Sequence, residues 1–495
     1  MKKQSLPFLS KSKYLNGLQC EKLLWYAYND KDVFPPIDPA LQARFDDGKL
    51  VGEYAWKLFP GGIKLERVLS PEGHHNKSLQ ALTLHKPLFE AGFISERTYA
   101  LADILMPGDR GMWDLYEVKS ATSVKDEYYH DLAFQKLTYD KAGLKISKCF
   151  VVYINNDYVK RGEIDPKKLF EIKEVTQTAA DLKDTTQNNI NHMLDVISLN
   201  HSPDKKIGPH CNTPYDCPLK SMCWKFLPEK NNVFVLSRGK TLAFDLVSQG
   251  ILDILEIPAG TKMTEKHLIQ IESHRKGSPY IDKEAIGKFM AKLEYPLYFL
   301  DFETIGPSVP VYDHTSPYEQ IPFQFSLHVA DSEAAQPKHF SYLAKDQQDP
   351  RPEILKKLKE LLGGKGSIVA YNSAFEVNAL KNAASVYPLF KSWFNSISLR
   401  VVDLLAPFRG YAYYHPDQQG SNSIKDVLPA LTGTSYENLE IADGAQASRD
   451  YYKATFDPNV SVTDREKIYN ALETYCYQDT QGMIDILKVL EKEAT

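Results

Sequence analysis

Six cysteines in 495 residues are too few and too widely spread for a secreted disulfide framework. Long apolar runs are also missing: none approaches the ~20 residues of a membrane helix. The start, Met1-Lys2-Lys3-Gln4-Ser5, leads into no apolar stretch of signal-peptide length, so neither an anchor nor a leader is expected. An excess of positive charge is lacking too, with 59 Lys and Arg against 64 Asp and Glu, a net charge of −5. This removes a global electrostatic argument for nucleic acid but does not exclude it. A chain that gathers carboxylates around cations offsets its own basic patches. Repeats and low-complexity segments are absent. The expectation is a cytoplasmic protein, without membrane contact, whose clustered cysteines hold metal rather than pair.

The length exceeds what one core supports, so two or three domains are expected. Residues 1–225 mix helical and strand patterns and end at a cysteine run. Residues 226–292 contain amphipathic segments such as 246–255, with turns near Gly239 and Pro258-Ala259-Gly260, and read as a small helical connector. From Tyr295, in a third part spanning 293–495, the apolar run 297–300 opens a new α/β pattern. The expected fold class is α/β throughout.

Within the first part, Leu101–Met106 reads as a strand, Pro107-Gly108-Asp109 as a turn, and Leu115–Lys119 as a second strand. Alternation puts Glu117 and Lys119 on one face. A hairpin of the two strands would bring Asp103 beside Glu117, making a paired-carboxylate site for a hard cation such as Mg²⁺ or Mn²⁺. Lys119 would stand over the scissile bond and neutralise developing charge. Residues 131–139 have helical spacing, so Gln135 and Tyr139 share a face at i, i+4.

Asp103, Glu117-x-Lys119 and Gln135-x3-Tyr139 together resemble the RecB-like branch of the PD-(D/E)XK nucleases, which have a restriction-endonuclease-like fold. That branch often has an upstream His as an extra metal ligand. The corresponding Gly48–Glu53 has none, and Glu90 is the substitute candidate. Cys20 precedes this core, and Cys211, Cys217 and Cys223 follow it as C-x5-C-x5-C. One cysteine before and three after resembles the iron–sulfur RecB-type nucleases. The resemblance implies a [4Fe–4S] cluster on Cys20, Cys211, Cys217 and Cys223, acting as a staple rather than as the catalyst. Zinc is the lesser alternative, since structural zinc sites favour closer cysteine pairs. Cys149 and Cys476 lie outside the pattern and read as buried small apolar residues.

The third part carries a second constellation. Asp301 and Glu303 end the apolar strand on one face. A strand at Ile368–Tyr371 runs into Asn372–Glu376 and a helical pattern, and the last helix sets Tyr475 and Asp479 one turn apart. Four acidic groups from separate elements can hold two cations about 4 Å apart, the spacing of in-line phosphoryl displacement. These residues resemble the three motifs of the DEDD exonucleases, which have an RNase H-like fold. Asp301 and Glu303 match the first, Asn372 to Glu376 the second, and Tyr475 with Asp479 the third, with Tyr475 implied to orient water. Glu376 stands where that superfamily usually has Asp, and Asp403 is the alternative ligand. Lys425 and Arg409 are candidate phosphate contacts, and Tyr411, Tyr413 and Tyr414 either stack unpaired bases or pack on the domain. The segments 321–326 and 420–425 complete a resemblance to an uncharacterised bacterial family joining both nuclease types. That family supplies no substrate, but the two nuclease resemblances imply a two-site, metal-dependent nuclease, with single-stranded DNA ends expected because both nuclease families usually thread or fray strands. The alternatives are an RNA-processing exonuclease and a nucleic-acid-binding scaffold with one degenerate head.

Overall fold

The computed structural model describes residues 7–68 and 70–494. Met1–Ser5, read above for a leader, lies outside the described residues. The protein is mixed α/β and divides into two compact units. One comprises the chain up to Phe226 together with Pro307–Tyr318, and the other comprises Leu227–Gly306 and Glu319–Thr495. Residues 227–292, expected as a separate connector, therefore lie within the second unit. Among the described residues, no helix is long and apolar enough to cross a membrane.

The first unit is built on a seven-stranded sheet. Its strands are β1 (Leu9–Ser10), β2 (Ile63–Lys64), β3 (Leu88–Ser95), β4 (Thr98–Pro107), β5 (Trp113–Lys119), β6 (Ile146–Ile154) and β7 (Phe170–Glu174). The path runs β2-β3-β4-β5-β6-β7, and β1 pairs with β4. β3, β4 and β5 are antiparallel neighbours, whereas β5 and β6 are parallel. A parallel pair needs a crossover, and here it carries the helix Asp126–Lys141. β4 alternates buried and half-buried positions along most of its length, the pattern of a strand with one well-covered face. The helix buries Leu132, Phe134 and Leu137 in a core shared with Leu105, Leu115 and Val151. Pro307–Tyr318 belongs here because Val309 and Tyr318 pack with Val51, Ile104 and Val152.

The second unit contains the short strand β8 (Tyr280–Ile281) and a five-stranded sheet. That sheet contains β9 (Leu297–Ile305), β10 (Ile321–Ala330), β11 (Lys338–Leu343), β12 (Ile368–Ala370) and β13 (Val401–Asp403), in the order β11-β10-β9-β12-β13. β9 pairs antiparallel with β10 and parallel with β12. Every β9 residue is buried except the half-buried Asp301, which is what a continuous apolar run at a sheet centre requires. The helices Ala374–Val386, Gly444–Phe456 and Val462–Ala494 bring side chains toward one end of this sheet. The stretch 246–255 is not one amphipathic helix. Lys240–Ser248 is helical, and Gly250 then turns the chain at a φ of 82°, which glycine adopts without steric cost.

Candidate functional site

In the first unit the β4–β5 register opposes Ile104 to Tyr116, which sets Asp103 across from Glu117. The Val118 N–H donates to Asp103 Oδ2 at 2.8 Å. Lys119 Nζ donates to Glu117 Oε1 at 2.7 Å and to Asp131 Oδ2 at 2.6 Å. Gln135 Nε2 donates to Glu117 Oε2 at 2.7 Å, and the Tyr139 hydroxyl donates to Gln135 Oε1 at 3.3 Å. Glu117, Lys119, Gln135 and Tyr139 thus meet in one side-chain network, with Asp103 held across from Glu117 by the Val118 N–H.

Two further members escaped the sequence reading. Asp131 lies one turn before Gln135 and was available to the same i, i+4 argument. Lys11 had no signal: it lies 106 residues before Glu117, yet its Nζ reaches both Glu117 oxygens at 2.8 and 3.0 Å. Burial opposes the charge on Glu117, but the two ammonium groups outweigh it and hold that carboxyl far below its ordinary value. Burial and the Glu117 charge push Asp103 up to about 7. Glu90 does not join this network. Its carboxylate takes Arg67 Nη2 at 3.1 Å, and its carbonyl faces His74 Nε2 at 2.7 Å.

Cys20, Cys211, Cys217 and Cys223 line one small pocket with Lys22 and Lys206. Cys20 reaches it from the end of the helix Lys11–Gln19, anchored where Gln19 Nε2 donates to the carbonyls of His210 and Tyr215 at 2.9 and 2.7 Å. Burial, and then the three neighbouring sulfurs, push the Cys217 thiol up to about 11, opposed by the Leu219 N–H. Among the described residues, the three-ligand group with all atoms within 4.8 Å is Asp301–Glu303–Cys476, so these four sulfurs are spaced more widely. A tetrahedral zinc tetrathiolate, with Zn–S of about 2.3 Å, would bring its sulfurs to about 3.8 Å. The spacing here is wider than that, and Lys22 and Lys206 line the same pocket.

The second unit contains a cleft of about 570 Å³ lined by Asp301, Glu303, Glu376, Tyr475, Asp479 and Asn372, among others. Asp301 and Glu303 come from β9, Glu376 from the first turn of Ala374–Val386, and Asp479 from the C-terminal helix. The Tyr436 hydroxyl donates to Asp479 Oδ1 at 2.7 Å. Glu376 is 5% exposed, and its Oε2 is buried without a hydrogen-bond partner. A buried carboxylate oxygen left bare costs free energy unless a cation meets it. Burial, then the neighbouring carboxylates, push Asp301 and Glu303 well above the ordinary range. Burial pushes Glu376 up to about 8 and Asp479 up to about 6.

Asp403 does not line this cleft. Its Oδ1 accepts the N–H groups of Asn372, Ser373 and Leu405 at 2.9, 3.3 and 3.1 Å, and its Oδ2 lies 3.6 Å from Arg409 Nη1. It holds the turn in which Asn372 adopts a φ of 68°, leaving Glu376 as the fourth carboxylate of the cleft. Arg409 Nη2 donates to Asn372 Oδ1 at 3.1 Å. Lys425 Nζ lies 4.6 Å from the Tyr475 ring centroid, and burial lowers its pKa, opposed by Asp479, Asp443, Glu303 and Asp301. Tyr411, Tyr413 and Tyr414 are core residues rather than a base-stacking platform. All three are buried, and Tyr411 stacks on Tyr414 at 5.2 Å. Cys149 is fully buried, as expected, but Cys476 is more than an apolar filler, because its thiol donates to Asp301 Oδ2 at 3.6 Å.

The raised carboxyls fix the sign of a pH effect. They keep protons in the folded chain that the unfolded chain releases, so their stabilisation is complete in acid and is lost as pH rises through about 6 to 8. In chelator, the melting temperature of the second unit is expected to fall between pH 6 and pH 8. Added Mg²⁺ or Mn²⁺ should restore more at pH 8 than at pH 6. A thermal melt series with and without cation checks this, and a flat profile would remove the carboxyl cluster as its cause.

Residues 298–423 match a family described as a domain of unknown function (DUF2779). The match takes in Asp301, Glu303, Glu376 and Asp403 and stops before Lys425, Tyr475 and Asp479. No curated protein matches the chain.

Proposed function

We propose that this protein is a metal-dependent nuclease with two active sites, acting on single-stranded ends of DNA. The observation that carries the reading is the 570 Å³ cleft in which four carboxyls, three of them on buried residues, converge and one presents a bare oxygen. That donor set is all oxygen and suits hard divalent cations such as Mg²⁺ and Mn²⁺. Asp301, Glu303, Glu376 and Asp479 would hold them. Bound there, such cations supply Lewis-acid activation and neutralise charge on a phosphoryl group. Tyr475, which lines the cleft one helical turn before Asp479, is available to orient the attacking water. Lys425, on which these carboxylates act, would offer its ammonium to the substrate phosphate. The motif order and the mixed sheet support an RNase H-like exonuclease of the DEDD type for this unit.

For the first unit we propose a RecB-like PD-(D/E)XK nuclease. Asp103 and Glu117 would hold the cation, with Lys119 facing the phosphate and Gln135 and Tyr139 keeping Glu117 oriented. A [4Fe–4S] cluster on Cys20, Cys211, Cys217 and Cys223 would close a loop of about 190 residues, restraining the unfolded chain far more than the folded one. A second reading, in which this unit binds nucleic acid without cutting, draws on one observation. Lys11, Lys119 and Gln135 together direct four hydrogen bonds at Glu117, about all that a carboxylate accepts.

Mn²⁺-dependent digestion of end-labelled single-stranded DNA and RNA tests these assignments with wild type, Lys119→Ala, Asp301→Ala and the double variant. The expected result is that each single variant loses a distinct set of DNA products and the double is inert. If Lys119→Ala leaves every product unchanged, the binding-module reading of the first unit replaces the nuclease one. RNA digested faster than DNA would reassign the substrate.

A further inference from the structure

Cys476 follows Tyr475 and precedes Asp479 by three residues on the C-terminal helix, which puts it on the Asp479 face and against Asp301 of the second cleft. It is fully buried, and its Sγ lies 3.6 Å from Asp301 Oδ2. One ligand atom each from Asp301, Glu303 and Cys476 all lie within 4.8 Å of one another. A tetrahedral cation bonded to a carboxylate oxygen at about 2.1 Å and to sulfur at about 2.3 Å sets the oxygen–sulfur separation at about 3.6 Å. That is the separation already present. The bare Oε2 of Glu376, on a side chain 5% exposed in the same cleft, is an independent sign that the cleft is built around cations.

We propose that the second cleft is a mixed oxygen–sulfur metal site, in which Cys476 Sγ joins Asp301 and Glu303 as a third ligand and makes the site selective for thiophilic divalent cations. The inference rests on reading the cleft as a cation site and adds a regulatory consequence. A soft thiolate favours Zn²⁺ or Cd²⁺ over Mg²⁺, which prefers oxygen and keeps its waters. As the metal–sulfur bond forms, the thiol proton passes to solvent. Such an ion binds tightly and displaces the hard cations that the proposed hydrolysis uses, so Zn²⁺ at concentrations far below Mg²⁺ would silence this unit.

The test is titration of the full chain with Cd²⁺, following the near-ultraviolet thiolate–cadmium absorption, in wild type and Cys476→Ser. The other five cysteines are common to both proteins, so the difference spectrum isolates this site. The expected result is loss of one thiolate's absorption and at least a tenfold weaker cadmium step in Cys476→Ser. Identical titrations would overturn the assignment. Should the variant fail to fold, cadmium NMR of the wild type decides. A resonance from a one-sulfur site supports the proposal, and signals from sulfur-only sites alone overturn it. Digestion assays run in parallel keep the two readings apart. Cadmium bound through Cys476 in a protein that cuts no nucleic acid overturns the nuclease reading alone. An active enzyme with unchanged titration overturns only the thiol ligand.

Discussion

Glu376→Met is expected to reduce the cation-dependent digestion assigned to the second cleft by at least ~100-fold while raising the stability of the metal-free protein. The activity loss follows from removing one of four carboxylates that share the cations, where a bound metal supplies several kcal/mol of charge stabilisation and ~100-fold is about 2.7 kcal/mol. The stability gain has a separate cause. Burial holds the Glu376 carboxyl up to about 8, and its Oε2 has no partner, so the folded chain bears a cost that methionine of similar length does not. The sign depends on pH. The contribution of this raised carboxyl is complete in acid and is lost as pH climbs to about 8, so the gain from Met should grow from pH 5 to pH 8 in chelator. Paired activity and melting measurements check both halves. Undiminished digestion by Glu376→Met would mean that Glu376 holds no catalytic cation. Asp403→Asn provides the contrast, with a smaller loss, since Asp403 holds the Asn372 turn instead of lining the cleft.

Asp349→Ala should be the most damaging single change to the stability of the second unit. Arg351 is 1% exposed. Its Nε donates to Asp349 Oδ1 and Oδ2 at 2.9 and 3.1 Å, and its Nη2 donates to Oδ2 at 2.7 Å. The backbone N–H of Arg351 adds a bond to Oδ1 at 3.0 Å, and the Tyr387 hydroxyl another to Oδ2 at 2.8 Å. Removing the carboxylate takes three hydrogen bonds and the nearest countercharge from a buried guanidinium on which Glu319 still acts, and breaking such a pair typically costs 3–5 kcal/mol, so about 3 kcal/mol is expected. The lower end applies because the Asp349 side chain keeps 22% of its surface in solvent. Urea unfolding should show the transition of the second unit moving to lower denaturant. Replacing both residues, Asp349→Leu with Arg351→Met, should recover much of the loss because the buried guanidinium goes with its nearest countercharge. A double variant no better than the single would argue that the pair's geometry, rather than its charge, is what matters.

Much of both sites was legible because their residues repeat with the period of the element that carries them. Glu117 and Lys119 are two apart on β5, Gln135 and Tyr139 four apart on a helix, and Asp301 and Glu303 two apart on β9. Strand and helix geometry alone puts each pair on one face. The same rule could have added Asp131, four before Gln135. What stayed hidden was anything that depends on the company a side chain keeps. Tyr411, Tyr413 and Tyr414 read equally as a stacking surface or a packed one, because composition does not carry burial. The break after Ser248 was missed because the apolar period continues past it while Gly250 turns the backbone.

The sequence by itself determined the elements, the order in which carboxylates enter them, and the grouping of one cysteine before and three after the first set. These follow from local periodicity and spacing, which need no knowledge of distant contacts. Only the tertiary structure decided which charges meet. It brought Lys11 onto Glu117 across 106 residues, engaged Glu90 with Arg67, and gave Asp403 to the Asn372 turn. It also left Glu376 with a bare oxygen and Cys476 against Asp301. The reason is that burial and pairing are properties of a three-dimensional neighbourhood. A carboxylate's hydration, its partners and therefore its charge are set by groups brought close through folding rather than through sequence.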